Sequence, residues 1–427
     1  MKPRLILALA LAAALPAVAL NIDSSLVGEG YAATSVNTAI FRGSPMVSDS
    51  LYQYISYYGP DGHVMVGKRA HGSDAWTLRR LPFTGNVRDG HNVISLGIDG
   101  QGHLHLSFDH HGHPLHYARS VAPGSLEFGE LEPMVGRDEE DVTYPDFLPM
   151  ANGDLLFAYR AGRSGCGNLV LNRYRTVKGR WERIHDVLID GEGQRNAYWQ
   201  LATDPQGTIH LSWVWRETWM VETNHDLCYA RSRDGGLTWE RSDSTAYTLP
   251  ITMEQAEVAV HIPQNSELIN QTGMSADAQG HPIIATYWRD ADSRVPQFRM
   301  VWHDGREWHR RQVGQRTEPF SLAGGGTKMI PISRPMIVCD GRTAMMVYRD
   351  AETGSRATLA RIPLSGGEPE MTFLTDYSLG AWEPTFDRSL WNSRGILSLF
   401  IQPTSQGDGE RPVDSQAPTP VTVMNIK

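Results

Sequence analysis

Apolar and polar residues alternate in short runs along most of the chain. The stretches "HLHLSF" (103–108) and "IHLSWVW" (209–215) are two examples. A period of two is typical of β-strands, and the three-to-four-residue spacing of amphipathic helices is nearly absent beyond the N-terminal segment. Gly, Asp, Asn and Pro bound these runs, as they do at turns. The pattern therefore predicts an all-β protein built from short strands.

One phrase recurs seven times: a turn, in most cases with glycine, followed by a strand that ends in or near an aromatic residue. It occupies residues 49–59, 99–109, 152–160, 205–216, 278–289, 340–349 and 393–402. Most copies are followed by a second strand, and "SRDGGLTW" (232–239) matches the Asp-box hairpin turn. A repeat of roughly fifty to seventy residues with four short strands is typical of a β-propeller. Two stacked β-sandwiches are the alternative, but they do not explain the repeated phrase. We therefore predict a seven-bladed propeller of four-stranded antiparallel blades.

The N-terminus has the pattern of a secretory signal peptide. Lys2 and Arg4 precede an apolar run, and the small-residue triplet that ends at Ala19 indicates a cleavage site. A membrane anchor is the alternative, but the apolar run is short for a bilayer span. We therefore expect residues 1–19 to be removed and residues 20–427 to form one propeller domain. The expected location is the periplasm or the medium, with no membrane partner.

Charge and cysteine content exclude two classes of protein. The formal net charge is −9, which argues against a nucleic-acid partner held by bulk electrostatics. Three cysteines cannot form a disulfide framework, so the fold must be stabilised by burial of its many aromatic residues. Oligomeric state cannot be inferred from the sequence.

Seven of the sixteen histidines fall within residues 91–120. His103 and His105 lie on or beside the second strand of blade 2, and His210 has the matching place in blade 4. A histidine that recurs at one strand position is expected to pack or hydrogen-bond rather than to react. These three are therefore interpreted as structural.

A second set of residues falls on connections that share one face of a propeller. His91 precedes the first strand of blade 2, and His111 lies in the turn after its second strand. Blade 3 has Tyr144 and Arg160 at the corresponding places, and blade 4 adds Tyr198. Two imidazoles, two phenols and a guanidinium are thus predicted to converge at one end of the propeller axis. We predict these five as catalytic residues.

Further arginines recur at equivalent places. Arg216, Arg289 and Arg349 each follow an aromatic residue at the end of a second strand, and Arg334 precedes the first strand of blade 6. Their recurrence is also compatible with structural pairing to acidic loops. A ring of guanidiniums on an acidic protein favours an anionic ligand, since guanidinium binds carboxylate or sulfate through two parallel hydrogen bonds. These four and His110 are predicted to bind substrate.

This set of residues fits β-elimination from a uronic acid within a polysaccharide. An arginine on the carboxylate would stabilise the charge that develops when the C5 proton leaves. A His or Tyr would take that proton, and a second such group would protonate the leaving oxygen at C4. Hydrolysis would require a pair of carboxyl groups, and no such pair is evident near this face. The chemistry needs no cofactor.

The stretches "HNVISLGIDGQGHLHLSFDHHGHPLHYARS", "VTYPDFLPMANGDLLFAYRAGRSGCGNLVLNRY" and "GGGTKMIPISRP" resemble the BNR-4 propeller proteins. That group includes seven-bladed ulvan lyases, rhamnosyl-glucuronate lyases and α-L-rhamnosidases. The resemblance implies a histidine pair twenty residues apart and a Tyr/Arg pair sixteen apart, which His91/His111 and Tyr144/Arg160 match, with Tyr198 as a further active-site tyrosine.

The resemblance also implies a bond between rhamnose and a uronic acid, linked α-1,4. We expect a lyase acting on ulvan, an anionic polysaccharide. Rhamnosyl-glucuronate side chains of an arabinogalactan, cleaved by a lyase or an α-L-rhamnosidase, are the alternative. A sialidase is disfavoured because the sequence has only one good Asp-box. A non-catalytic sugar-binding propeller remains a second alternative, which would not require the His/His/Tyr/Arg set.

A structural zinc site is a further hypothesis. Cys166 lies in the loop after the second strand of blade 3, and His225 and Cys228 lie in the corresponding hairpin of blade 4. Such loops share a face, so these residues could supply three ligands of a tetrahedral site. A Cys166–Cys228 disulfide and two unconnected thiols are the alternatives.

Overall fold

The chain forms the predicted seven-bladed β-propeller. The structure, a computed structural model, describes residues 20–427. The predicted signal peptide, residues 1–19, lies outside the described residues. Among residues 20–427, no helix has the length and hydrophobicity that crossing a bilayer requires.

Seven antiparallel sheets, one for each blade, follow one another along the chain. The first strand, β1 (Ile22–Gly30), belongs to the last blade. Blade 1 contains β2 (Met46–Ser48), β3 (Tyr52–Tyr58), β4 (His63–Ala70) and β5 (Thr77–Thr84). Blade 2 contains β6 (Ile94–Ile98), β7 (Leu104–Phe108) and β9 (Tyr117–Arg119), and β8 (His111–His113) leaves it to join the next sheet. Blade 3 contains β10 (Val142–Pro149), β11 (Leu155–Ala161), β12 (Asn168–Arg175) and β13 (Arg180–Ile189).

The remaining blades each have four strands. Blade 4 contains β14 (Asn196–Thr203), β15 (Ile209–Arg216), β16 (Asn224–Ser232) and β17 (Glu257–Val260). Blade 5 contains β18 (Gly273–Ala276), β19 (Pro282–Trp288), β20 (Gln297–His303) and β21 (Trp308–Gln312). Blade 6 contains β22 (Met336–Cys339), β23 (Thr343–Asp350), β24 (Arg356–Pro363) and β25 (Glu370–Phe373). Blade 7 contains β26 (Thr385–Phe386), β27 (Leu397–Ile401), β28 (Thr419–Ile426) and β1.

The ring is closed by strands from both ends of the chain. β1 pairs with β28 from Ile22 opposite Ile426 to Gly30 opposite Thr419. One α-helix, α1 (Arg388–Arg394), lies between β26 and β27, and short 3₁₀ turns occur at Ile40–Arg42, Thr176–Lys178, Val221–Thr223 and Ala351–Thr353. Aromatic side chains such as Trp213, Trp215 and Trp239 are fully buried between and within the sheets. The hydrophobic core therefore lies between the blades, and the two ends of the propeller axis are not needed for it.

Blades 2 and 3 depart from the predicted four strands. β8 pairs with β10, the innermost strand of blade 3, so that sheet has five strands and blade 2 has three. Thr143 lies opposite His111, and Val142 opposite His113. A segment expected to be a turn within blade 2 is therefore hydrogen-bonded to the next blade.

Candidate active site

A cavity of about 860 Å³ opens at one end of the propeller axis. Its walls come from the connections that enter the blades and from several of those that follow second strands, the two sets that share a face. Eight of the ten predicted catalytic and substrate-binding residues line it: His91, His111, Tyr144, Arg160, Tyr198, Arg216, Arg334 and Arg349. The structure thus brings most of the predicted set together.

The two histidines of the cavity form a stacked pair. Their ring centroids are 4.0 Å apart, with an interplanar angle of 20°. Nδ1 of His91 lies 2.9 Å from Oδ1 of Asp89, and Nδ1 of His111 lies 2.6 Å from Oδ2 of the same carboxylate. Burial would raise the pKa of Asp89, but the hydrogen bonds from His111 and His91 outweigh it and lower the pKa. Asp89 is therefore a carboxylate between two imidazoles.

Backbone irregularity places Tyr144 in the cavity. The register of β10 against β11 shifts between Thr143 and Asp146, and Tyr144 has a φ of 58°. A non-glycine residue in this region is uncommon, and such bulges re-aim side chains next to active sites. The Thr143 hydroxyl accepts hydrogen bonds from the Gly112 N–H and from Nη2 of Arg160. The bulge thereby joins β8, β10 and the arginine.

The two phenols lie edge to face, and each has a guanidinium over its ring. The Tyr144 and Tyr198 ring centroids are 5.9 Å apart. Arg160 lies 5.1 Å from the Tyr144 centroid, and Arg216 lies 4.5 Å from that of Tyr198. Nη1 of Arg216 also donates to the Tyr198 hydroxyl at 2.9 Å.

The environments of the two phenols differ. Burial raises the pKa of Tyr144. Burial acts the same way on Tyr198, but the positive charges of Arg216 and Arg160 outweigh it and lower the pKa of Tyr198. Tyr144 therefore keeps its hydroxyl proton at neutral pH, whereas Tyr198 is the more readily ionised.

Three arginines of the cavity, Arg160, Arg216 and Arg349, have no carboxylate partner among residues 20–427. Arg160 donates to the Gly162 carbonyl and the Thr143 hydroxyl, while Arg216 donates to the Asn224 side chain and Tyr198. Both side chains are buried except where they meet the cavity. Buried cations without counterions favour an anionic ligand. The cavity therefore carries positive charge that suits an anionic ligand, although the protein as a whole is acidic.

Arg334 is paired with a carboxylate, whereas Arg349 binds backbone carbonyls. Nε of Arg334 donates to both oxygens of the buried Glu383, at 2.8 and 3.0 Å. Arg349 donates to the backbone carbonyls of Trp382, Pro331 and Ile330. Arg334 is therefore neutralised within the protein, whereas Arg349 adds positive charge.

His110 and Arg289 do not line the cavity, contrary to the prediction for both. His110 is buried, and its Nε2 accepts a hydrogen bond from the His116 N–H. It directly precedes β8, and successive side chains of an extended segment point to opposite sides. Arg289 donates to the carbonyls of Ser293 and Asn265 instead of facing the axis. Its role is to hold a loop of blade 5.

The predicted zinc site is not formed. Among residues 20–427, the group that brings three potential ligand atoms within 4.8 Å of one another is Asp89, His91 and His111. Cys166 is exposed and Cys228 is buried in β16, and neither forms a disulfide. His225 lies between Glu217, at 2.9 Å, and Asp226, at 3.0 Å. Of the three alternatives, the structure therefore matches two unconnected thiols.

The Asp89 triad is the group that could hold a metal ion. Its two rings are nearly parallel and stacked, so their in-plane Nδ1 lone pairs do not converge on one point. Each Nδ1 instead lies at hydrogen-bond distance from its own carboxylate oxygen. The geometry matches a hydrogen-bonded pair better than a coordination site.

Several residues in or beside the cavity were not predicted from the sequence. Asp89 stands two residues before His91, and its proximity to a candidate histidine was the signal that could have identified it. Phe41 stacks on His91 with centroids 5.4 Å apart, and Trp219 lines the rim. Glu383 and Glu410 complete the wall. Their assignment depends on which blades face each other across the axis, which local sequence does not specify.

Comparison with known proteins identifies two relatives that carry the same name. A protein of Alteromonas sp. (strain LOR) named "Ulvan lyase" is 23% identical over 296 residues, which cover 60% of this chain and 61% of that protein. A second "Ulvan lyase", from Nonlabens ulvanivorans, is 25% identical over 134 residues, or 28% of its length. Both alignments thus span less than two thirds of those proteins.

Solved structures show the same fold. The polysaccharide lyase Uly1 superposes with a TM-score of 0.65 at 15% identity, covering 90% of each chain. A PL25 ulvan lyase bound to -[GlcA(1-4)Rha3S]- has a TM-score of 0.63 at 17% identity, covering 88% of this chain and 93% of that one. The sequence model described as "BNR repeat-containing family member" matches residues 52–316. Because this match covers more than half of the chain, the protein belongs to the BNR repeat-containing family.

Proposed function

We propose that the protein is a polysaccharide lyase that cleaves α-L-rhamnosyl-1,4-uronate linkages by β-elimination. One observation carries this proposal: two guanidiniums without carboxylate partners lie beside two phenols and a carboxylate-linked histidine pair in a single cavity. The reaction requires groups that stabilise a carboxylate-centred charge, a proton acceptor and a proton donor.

Arg160 neutralises the uronate carboxylate in this proposal, and Arg216 assists it. Removal of the C5 proton places additional negative charge on the carboxylate, where a buried guanidinium acts more strongly than in water. Tyr198 and Thr143 hold the two arginines in place through hydrogen bonds at 2.9 and 3.1 Å.

His111 serves as the base and Tyr144 as the acid. Nδ1 of His111 is occupied by Asp89, which leaves Nε2 for the C5 proton. Tyr144 keeps its hydroxyl proton at neutral pH because burial raises its pKa, so it can donate to the C4 oxygen as the bond breaks. His91 is stacked on His111 and belongs to the same proton-accepting pair.

Hydrolysis is less well supported by the carboxylates of the cavity. A glycoside hydrolase uses two carboxyl groups that flank the bond. Glu383 is held in two hydrogen bonds from Nε of Arg334, and Glu410 accepts the Thr327 N–H at 2.9 Å. Both lining glutamates are thus engaged within the protein.

The names of the relatives support the choice of substrate. Two relatives are named ulvan lyases, and one solved relative is bound to a glucuronate–sulfated rhamnose repeat. We propose ulvan as the substrate and rhamnosyl-glucuronate ends of arabinogalactan as the alternative. Export to the periplasm or medium, as the N-terminal pattern predicts, would bring the enzyme to such polymers.

Ultraviolet absorbance tests the proposal. The purified protein is mixed with ulvan and, separately, with gum arabic. Elimination creates a C4–C5 double bond conjugated to the carboxylate, so the absorbance of one mixture should rise with time. Release of rhamnose without this absorbance would identify a hydrolase, and binding without either product would identify a sugar-binding propeller.

A further inference from the structure

Asp89 contacts both histidines but does not line the cavity. Its Oδ1 accepts the His91 N–H at 2.9 Å and lies 2.9 Å from Nδ1 of the same residue. Its Oδ2 lies 2.6 Å from Nδ1 of His111. Its side chain is largely buried. Asp89 therefore acts on the substrate through the two rings and not by contact.

The contacts define the tautomer of each neutral ring. An ionised carboxylate only accepts hydrogen bonds, so a nitrogen that pairs with it must carry the proton. Both Nδ1 atoms pair with Asp89, and both Nε2 atoms lack a partner among residues 20–427. Each Nε2 is then an unprotonated acceptor in a ring that lines the cavity.

The same contacts restrict rotation of the rings. His91 lies between His111, at 4.0 Å, and Phe41, at 5.4 Å, with interplanar angles of 20° for both pairs. Turning either ring out of the stack would break its bond to Asp89. One carboxylate thus sets the tautomer and the orientation of two rings from different blade connections.

We propose that Asp89 is the positioning residue of the lyase, which holds His111 and His91 as Nδ1–H tautomers with both Nε2 atoms directed to the substrate. This inference rests on the proposed function. No step of the reaction forms a bond to Asp89.

Asp89→Asn tests the proposal with little change in shape. The amide has one acceptor oxygen and an NH₂ group that can only donate. One of the two Nδ1–H groups then faces a donor, so that ring must switch to the Nε2–H tautomer. We expect kcat to fall by at least about 100-fold, since the equivalent change beside a catalytic histidine in serine proteases costs about 10⁴. KM should change by less than about threefold, because Asp89 does not touch substrate.

Asp99→Asn is the matched control. Asp99 lies in the same blade and pairs with a histidine, His105, at 3.2 Å, but it is buried away from the cavity. This variant should lower the melting temperature and leave kcat within about twofold of wild type. A purely structural role for Asp89 would give the same result in both variants.

A two-bond ¹H–¹⁵N spectrum of the histidine side chains gives a readout that does not depend on activity. Recorded at a pH where the rings are neutral, wild type should show Nδ1–H tautomers for His91 and His111. Asp89→Asn should convert one of them to Nε2–H. Signals are assigned by their loss in His91→Gln and His111→Gln.

Two outcomes overturn the proposal: an Nε2–H tautomer of either ring in wild type, or an Asp89→Asn enzyme with kcat within threefold of wild type. If Asp89→Asn does not fold, the wild-type spectrum still decides. If no polymer is cleaved, the spectrum tests the tautomers separately, so failure of the proposed function is distinguished from failure of this inference.

Discussion

Histidines of one blade have different roles because their ring nitrogens have different partners. His105 is fully buried, with Nδ1 2.8 Å from the Tyr117 hydroxyl and Nε2 3.2 Å from Asp99. His210 repeats this arrangement in blade 4 with Tyr229 and Asp204. Both rings have all their hydrogen-bonding capacity used, which confirms the structural interpretation. In His91 and His111, by contrast, one nitrogen remains for another molecule.

His111→Ala and Tyr144→Phe should each nearly abolish turnover and leave the fold intact. Loss of a positioned base or acid costs roughly 10²- to 10⁴-fold in rate. Initial rates on the cleaved polymer, with circular dichroism as a check on folding, measure this. His103→Ala and Tyr117→Phe, which alter the same residue types away from the cavity, are the controls. If both site variants kept half of the wild-type rate, the assignment of base and acid would be wrong.

Arg160→Lys should also be severely impaired, although it preserves the charge. An ammonium cannot reproduce the two parallel hydrogen bonds of a guanidinium on a carboxylate, and it loses the contact with Thr143. We expect a drop in kcat/KM of at least about 100-fold, within the range for loss of one stabilising donor. Arg289→Lys is the matched control, because Arg289 has the same position in blade 5 but binds backbone carbonyls. Unchanged kcat and KM for Arg160→Lys would assign Arg160 a structural role.

At the scale of elements, two irregularities create the site. β8 leaves blade 2 to pair with β10, and the bulge at Tyr144 interrupts the pairing of β10 with β11. The alternation pattern predicted a turn at residues 110–111, since it reports which residues are buried but not which sheet they join. The convergence of His111, Tyr144 and Arg160 was nevertheless predictable, because all three fall on connections that share a face.

A loop of residues 322–330, here called the mouth loop, borders the cavity between blades 5 and 6. Four of its backbone N–H groups bind carboxylates outside the loop: Leu322 binds Glu267 at 2.6 Å, Gly324 binds Glu222 at 2.8 Å, Thr327 binds Glu410 at 2.9 Å and Met329 binds Asp408 at 2.7 Å. The loop therefore ties blade 4 to blade 7 across the rim. A Cβ at Gly325 would lie 2.4 Å from Cε3 of Trp219, so only glycine lets this indole lie against the loop backbone.

Trp219→Ala should weaken binding of long substrates and leave the chemistry unchanged. The indole lines the rim and is 62% exposed, so a sugar ring beyond the cleaved bond can stack on it. An aromatic contact of about 0.5–1.5 kcal/mol corresponds to a rise in KM of roughly twofold to tenfold.

Steady-state kinetics on polymer and on the shortest cleaved oligosaccharide measure this effect. KM should rise for the polymer, while kcat and the oligosaccharide kinetics should be unchanged. Tyr377→Ala, which removes an aromatic residue of 47% exposure outside the cavity, is the control. A fall in kcat on both substrates would place Trp219 in the catalytic machinery instead.

At the scale of the whole molecule, the fold was predictable because the repeated phrase marks the second strand of each blade. The pairing of β1, the strand that closes the ring, was harder to predict. β1 has a polar sequence, "IDSSLVGEG", and a register shift between Leu26 and Gly28, so its pairing with β28 does not follow from alternation. Likewise, the sequence places Asp89 near His91, but its contact with His111 as well depends on how the connections of blade 2 fold together. Sequence periodicity predicts elements, whereas contacts across the axis depend on how the ring closes.

The stability of the whole propeller should fall on mild acidification. Burial lowers the pKa of His105 and, more strongly, that of His110. In the unfolded chain both titrate near the usual value of about 6.5. Below that pH the unfolded state takes up protons that the folded state does not, so the free energy of unfolding decreases as pH falls. Above about pH 7.5, roughly one unit above the unfolded pKa, these residues contribute almost no pH dependence.

Urea unfolding at several pH values between about 7.5 and 5 measures the effect, which is at most about 1.4 kcal/mol per pH unit for each histidine. His105→Gln should be less stable at pH 7.5 but should lose less on acidification, because one of the linked groups is gone. His261→Gln, which changes a histidine with an 85% exposed side chain, should retain the wild-type slope. A free energy of unfolding that stays constant or rises from pH 6.5 to pH 5 would contradict the burial of neutral histidines in blade 2.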